Sequence, residues 1–195
     1  APPTPPLNLV ADFGGGALYL ALGVLAAIIE ARSSGRGQVV DAAMIDGAAS
    51  LMTSHYGMHA AGLLRPERGT NSTDSGAYYY DAYECADGLW ISVAAIESRF
   101  HAELLRLLGI DESAIGAQHD PANWPKGREL LAARFRSRTR AEWCAALEGT
   151  DVCFAPVLSL AEAPRHPHMQ ARKTFIDIDR VTQAEDHLRF GNRVV

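Results

Sequence analysis

From Ala17 to Arg32 the chain sets Leu18, Leu20, Ala21, Val24, Leu25, Ile28 and Ile29 at three- and four-residue steps. That spacing predicts a helix with one broad buried face. Ser33 to Gly37 ends it, since Gly35 or Gly37 can take the left-handed stop conformation. Just ahead stand Ala11-Asp12-Phe13-Gly14-Gly15-Gly16. A helix opening after these glycines leaves backbone N–H groups of Gly14, Gly15 and Gly16 without helical partners, and the macrodipole favours negative charge there. Asp12 is therefore expected where a carboxylate can stay ionised beside a developing oxyanion. An acidic residue before a helix also serves as a cap or turn former. The motif alone leaves both readings open. It is not Gly-x-Gly-x-x-Gly and no Gly-Lys-Ser/Thr follows, so dinucleotide and P-loop sites are poorly supported.

Downstream, Gln38 to Met44 reads as a short strand, and a helix followed by a strand is half of a βαβ crossover in a parallel sheet. Ile45 to Ala61 is a second helical pattern that Gly62 can close. It carries His55 and His59 at an i, i+4 spacing, without a Glu beside His55 or an obvious third ligand, so no metal site is expected. Gly62 to Ala77 reads as a linker. Tyr78 to Cys85 and Leu89 to Ile96 flank Asp87-Gly88, a strong hairpin signal. Helices are predicted at about 98–108, 126–137 and 140–148, the last with Thr139 and Glu142 as a capping box. Val152 to Val157 is a strand placed near an edge by Pro156, and Thr174 to Asp179 is extended. Trp90, Trp124 and Trp143 are expected as core anchors. The basic run Arg134 to Arg140 reads as a solvated helix face.

The 195 residues suffice for one large domain or two small ones. A net charge of −5 without a basic tract argues against nucleic-acid binding. Cys85, Cys144 and Cys153 are widely spaced and form no Cys-x-x-Cys pair, which fits a reducing cytoplasm better than a disulfide framework. The apolar run from Ala17 to Ile29 is short and glycine-interrupted, so no membrane span is expected. Residues 1–10 form an extended lead-in rich in proline, and the chain is expected to be an interior piece of a longer protein.

Several motifs together resemble the family III CoA-transferases (the CaiB/BaiF family), and within them the α-methylacyl-CoA racemase branch. They are Asp12-Phe-Gly-Gly-Gly, Glu30-Ala-Arg-Ser-Ser-Gly-Arg-Gly-Gln, Val39-Val-Asp-Ala-Ala-Met-Ile-Asp-Gly, Tyr79-Tyr-Asp-Ala-Tyr-Glu-Cys-Ala-Asp-Gly and Ala95-Ile-Glu-Ser. The resemblance runs in order along nearly the whole chain. It implies an α/β fold, with a portion of a parallel-sheet large domain plus a smaller α+β domain. Residues 1–44 would belong to the large, CoA-binding domain, 45–77 would be a linking helix and loop, 78–175 the small domain, and 176–195 the start of the return to the large one. It also implies an interlocked homodimer.

Racemisation beside a thioester carbonyl needs two acid/base groups on opposite faces of the α-carbon and a donor for the enolate oxygen. By resemblance Asp12 is one base in the racemase branch, and in the transferase branch a related carboxylate forms a mixed anhydride. Glu97 matches a carboxylate that partners a His in a Gly-His-Asp motif upstream of this segment. None of His55, His59, His101, His119, His166, His168 or His187 lies in such a motif, so this segment alone is not expected to racemise. On position alone Glu97 also reads as a helix N-terminal charge. Gly14, Gly15 and Gly16 are expected to offer amides to the substrate. Met44 matches a lining position for the acyl chain and Tyr80 one near the thioester. The implied substrate is a 2-methyl-branched acyl-CoA, with no cofactor beyond the coenzyme A it carries. A CoA-transferase working through Asp12, and a non-catalytic assembly domain, are the alternatives.

Overall fold

The computed structural model describes residues 6–184, 189, 190, 193 and 194. Ala1 to Pro5 of the proline-rich lead-in, and His187, lie outside the described residues. The chain is mixed α/β and divides into two compact units, Ala1–Pro66 and Glu67–Val195.

In the first unit a π-helical stretch, Leu9–Leu18, runs directly into helix α1, Tyr19–Ser34. Gly35 closes α1 in the left-handed conformation at φ 73°, its N–H donating to the Ala31 carbonyl at 2.9 Å. The helix thus begins well before Ala17, and Asp12 and the three glycines lie inside it. Taken together, Leu9–Ser34 is a 26-residue helix whose most apolar 18-residue stretch has a mean hydropathy of 1.8, long and apolar enough by length and composition to cross a membrane. The expectation that the run is too short is corrected, because the helical backbone continues upstream through the glycines. A core helix of a soluble protein carries the same signature.

Residues 36–43 join no sheet among the described residues, so the strand expected at Gln38 to Met44 is not formed there, and Val39 is 94% exposed. A strand needs a ladder partner for its N–H and C=O groups. The single helix expected over 45–61 is two, α2 at Met44–Leu51 and α3 at Thr53–Ala60. Gly62, at φ 70°, ends the segment as expected.

Among the described residues of this unit, Gly15, Gly16 and Gly47 are buried. A Cβ on Gly47 would lie 1.9 Å from the Gly15 carbonyl oxygen, so the π-helical stretch and α2 cross backbone against backbone. Tyr19 Oη donates to Ser50 Oγ at 2.8 Å beside this crossing. No residue of α1 is buried: Leu18 is 67% exposed and Ile29 70%. The broad buried face is therefore not formed within these residues, because α2 covers only the glycine end of the helix.

The second unit is built on the antiparallel strands β1, Tyr80–Glu84, and β2, Trp90–Ala94, turning at Asp87-Gly88 with Gly88 at φ 74°. Strand β3, Phe154–Pro156, joins β2 antiparallel and forms the edge of the order β1-β2-β3. Helices α4, Ser98–Leu108, α5, Trp124–Phe135, and α6, Arg140–Leu147, supply the other layer. The capping box of Thr139 and Glu142 is formed. A short helix α7, Pro167–Arg172, precedes the hairpin of β4, Phe175–Ile178, and β5, Val181–Ala184. Two further strands, β6 at Arg189–Phe190 and β7 at Arg193–Val194, pair with each other.

The core gathers Tyr78, Tyr79, Ile91, Leu104, Leu108, Leu131, Phe135 and Trp143. Trp143 is fully buried and its indole N–H donates to the Phe135 carbonyl at 2.8 Å. Trp90 is 45% exposed and is not a core anchor. Side chains alternate along a strand, and β2 turns Ile91 and Val93 inward, which puts Trp90 on the other face.

Candidate functional site

Glu97 stands at a strand-to-helix elbow. Strand β2 ends at Ala94, Ile96 N–H turns back onto the Ala94 carbonyl at 2.9 Å, and Glu97 is the N-cap of α4 in extended geometry, φ −70° and ψ 136°. Its carbonyl accepts the His101 N–H at 3.0 Å, but its carboxylate caps nothing and is exposed. The charge is free for another partner. Tyr80 lies on the adjacent strand, in register with Ala94, half-buried against the core. The second unit therefore brings Tyr80 and Glu97 to one end of the sheet.

The first unit groups the remaining expected site residues. A Cβ on Gly16 would meet Met44 Cγ at 3.1 Å and one on Gly15 the Met44 carbonyl at 3.0 Å, so Met44 sits against these glycines, its side chain half-exposed. Asp12 is exposed in the first turns of the π-helical stretch, where Asn8, not Asp12, is the N-cap. The Phe13 N–H donates to the Asn8 carbonyl at 3.2 Å, the five-residue step of a π-helix. By the same step the amides of Gly14, Gly15 and Gly16 fall within the helical ladder. Their expected role as open anion donors is corrected: these glycines let α2 approach.

The segment read as a linker has internal order. The Asp74 carboxylate accepts the backbone N–H groups of Gly69, Asn71 and Gly76 and the Asn71 side-chain amide, at 2.8 to 3.2 Å. Burial pushes the Asp74 carboxyl up, but the Asn71 side chain and these amides outweigh it and hold it below its usual range. The Gly, Asn and Asp composition signals such a turn. Sequence reasoning also missed Gln118, which is 6% exposed and hydrogen-bonded to the carbonyls of Ala95 and Ile96. Its only possible sequence signal is a polar residue shortly before Trp124.

His55 and His59 lie on α3, and among the described residues no group of three or more His, Cys, Asp and Glu side chains could hold a metal. A cleft of about 490 Å3 between Pro164, Arg165, Gln170, Phe175 and Asp177 contains none of the expected site residues. Another, of about 420 Å3, begins just beyond Glu97 and is lined by Arg99, Phe100, Glu103 and Asp151.

Cys85, Cys144 and Cys153 are free thiols. Burial raises the Cys153 thiol above its usual range, the carboxylates of Glu97 and Asp151 add to this, and Arg99 opposes it. Cys153 therefore reports the Glu97 charge. Cys85 is buried and Cys144 is pushed up to about 11, chiefly by burial, so iodoacetamide is expected to modify Cys153 first. A unit charge several ångströms away through water is worth about 0.5 kcal/mol, or about twofold in thiolate population. Glu97→Gln should accelerate alkylation of Cys153 by about that factor and Arg99→Gln should slow it. Mass spectrometry of timed reactions reads both, and equal rates in the two variants would place the carboxylate away from the thiol.

Comparison with known proteins agrees with the motifs. The family model described as CoA-transferase family III matches residues 1–194. The chain is 44% identical over 174 residues to an alpha-methylacyl-CoA racemase of Mus musculus and 39% identical over 174 residues to that of Homo sapiens. In each case the match covers 89% of this chain and 46% of the relative, so the chain spans about half the length of these curated relatives. A CAIB/BAIF family protein from Brucella suis, 22% identical, superposes with a TM-score of 0.74 over 99% of this chain and 51% of that one, which supports the shared fold. The motifs, the fold and the family match agree: this chain belongs to CoA-transferase family III.

Proposed function

We propose that this chain is the central and small-domain part of an α-methylacyl-CoA racemase-like enzyme that removes and returns the α-proton of 2-methyl-branched acyl-CoA thioesters. The observation carrying this reading is the high identity to two racemases across both units. Asp12 acts as base on one face of the α-carbon. Glu97 supports the second base, the histidine that the resemblance places in upstream sequence. Met44 lines the acyl chain, Tyr80 lies near the thioester, and the crossing at Gly14, Gly15 and Gly16 sets the position of Asp12.

The chemistry needs no metal or cofactor beyond the coenzyme A of the substrate, because proton transfer and enolate stabilisation are acid/base and hydrogen-bonding work. An interlocked homodimer, a cytoplasmic location and a role in branched-chain lipid metabolism belong to the same proposal, with no membrane or nucleic acid as partner. The exposed apolar side chains of α1 and the three free thiols support the dimer and the reducing compartment respectively.

The test is deuterium exchange at the α-carbon of a 2-methylacyl-CoA, run on the chain alone and on the chain expressed with any upstream sequence its gene supplies. Exchange that disappears in Asp12→Asn supports the reading, and exchange untouched by that change removes Asp12 from it. A hydroxylamine-sensitive adduct on Asp12 would instead mark a CoA-transferase.

A further inference from the structure

We propose that Gln118 is a positioning residue for Glu97, acting through the backbone of the elbow rather than on substrate; the inference rests on the role of Glu97 given above. Its side-chain amide nitrogen donates to the Ala95 carbonyl at 3.1 Å and to the Ile96 carbonyl at 2.8 Å. One primary amide thus clamps the two peptide groups that deliver the chain into Glu97. The opposite amide orientation would set its oxygen against two carbonyl oxygens, so the donor assignment follows from the partners.

Gln118 is itself fixed. Its side chain is buried, and its own carbonyl accepts the Trp124 indole N–H at 2.9 Å. The Ala95 N–H is held by the Tyr79 carbonyl at 2.9 Å. On the far side, the Glu97 carbonyl is engaged by the His101 N–H. The backbone is therefore pinned on both sides of Glu97, while the carboxylate carries no cap bond. Such an arrangement fixes where the charge originates and leaves the charge unspent.

The primary amide carries two N–H donors on one nitrogen, enough to satisfy two successive carbonyls from a buried site. Methionine keeps the volume and supplies no donor. Ionised glutamate faces both carbonyls with negative charge, but when protonated it regains one O–H donor, and burial favours that neutral form. A loosened elbow displaces Glu97 without removing substrate contacts, so the loss should fall on kcat, where misplacement of about 1 Å costs up to about a hundredfold.

The experiment measures α-proton exchange on the chain expressed with any upstream sequence its gene supplies, with folded fraction checked by circular dichroism. Gln118→Met should lower kcat about tenfold with KM changed less than about twofold. Gln118→Glu should be similarly slow at alkaline pH and recover as the pH falls, relative to the parent profile. A merely structural role would lower the active fraction without that pH-dependent recovery. The proposal is overturned by an unchanged kcat in fully folded Gln118→Met, by a loss confined to KM, or by a Gln118→Glu profile parallel to the parent. Glu97→Gln separates the two levels: if it exchanges at the parent rate, the role of Glu97 falls and this inference with it. If it is dead while Gln118→Met is fully active, only the positioning role fails.

Discussion

Gly47→Ala is expected to break the first unit at its helix crossing, at a cost of at least about 3 kcal/mol, the upper range for overpacking. The added Cβ would sit 1.9 Å from the Gly15 carbonyl oxygen, 2.5 Å from its carbonyl carbon and 2.7 Å from its Cα. All three are backbone atoms, so no rotamer change relieves the clash. The approach is tight from both sides, since a Cβ on Gly15 would lie 2.7 Å from the Ala48 nitrogen. Intrinsic helix propensity pulls the other way, because alanine in a helix is favoured over glycine by about 1 kcal/mol. Here the backbone collision wins. Gly57→Ala is the control: it lies on α3 with nothing within 4 Å of its added Cβ, and should be neutral or mildly stabilising. Limited proteolysis followed by mass spectrometry, reading cleavage within Leu9–Leu51, separates the two. Asp12 lies three residues before Gly15 in the same π-helical stretch, so α-proton exchange should fall with Gly47→Ala and persist with Gly57→Ala. Equal protection of Gly47→Ala and the parent would show that the helices need not touch.

The second unit was far more legible from sequence than the first, for a physical reason. Asp87-Gly88 between alternating strands, and Thr139 with Glu142, are local signals whose partners lie within a few residues. Helix α4 was also readable, as its inward residues Leu104, Leu105 and Leu108 repeat at helical steps from His101. Apolar spacing after Ala17 marks a helix but does not say where it starts, because glycines carry no apolar signal and propensity disfavours them. The π-helical stretch through Asp12 was therefore hidden. Val39 and Val40 have strand propensity, yet residues 36–43 have no partner strand among the described residues, and propensity cannot supply one. Gln118 escaped notice because its partners are backbone carbonyls, and backbone carries no residue identity.

Lowering the pH is expected to destabilise the second unit through His101. This imidazole is 1% exposed, and its Nε2 shares a 2.7 Å hydrogen bond with the Tyr78 hydroxyl. Burial is the main cause that holds its pKa below 6.5; Glu112 opposes the shift and His119 adds to it. Burial, with Tyr79 and Glu112 behind it, keeps Tyr78 protonated, so its O–H remains available to the neutral ring. The sign follows from proton counts. Between the depressed folded value and 6.5 the unfolded chain binds a proton at His101 that the folded chain does not. Stability is therefore full above 6.5 and is lost as the pH falls through the folded value, at no more than about 1.4 kcal/mol per pH unit. Urea unfolding can follow this by fluorescence, since Trp90, Trp124 and Trp143 all lie in the second unit. His101→Leu alone leaves the Tyr78 hydroxyl buried without its partner, costing about 1–3 kcal/mol at every pH. The double variant His101→Leu/Tyr78→Phe removes both polar groups, so it should recover most of that loss and show a shallower acid slope than the parent. Acid slopes that match in the parent and the double variant would assign the effect to carboxylates instead.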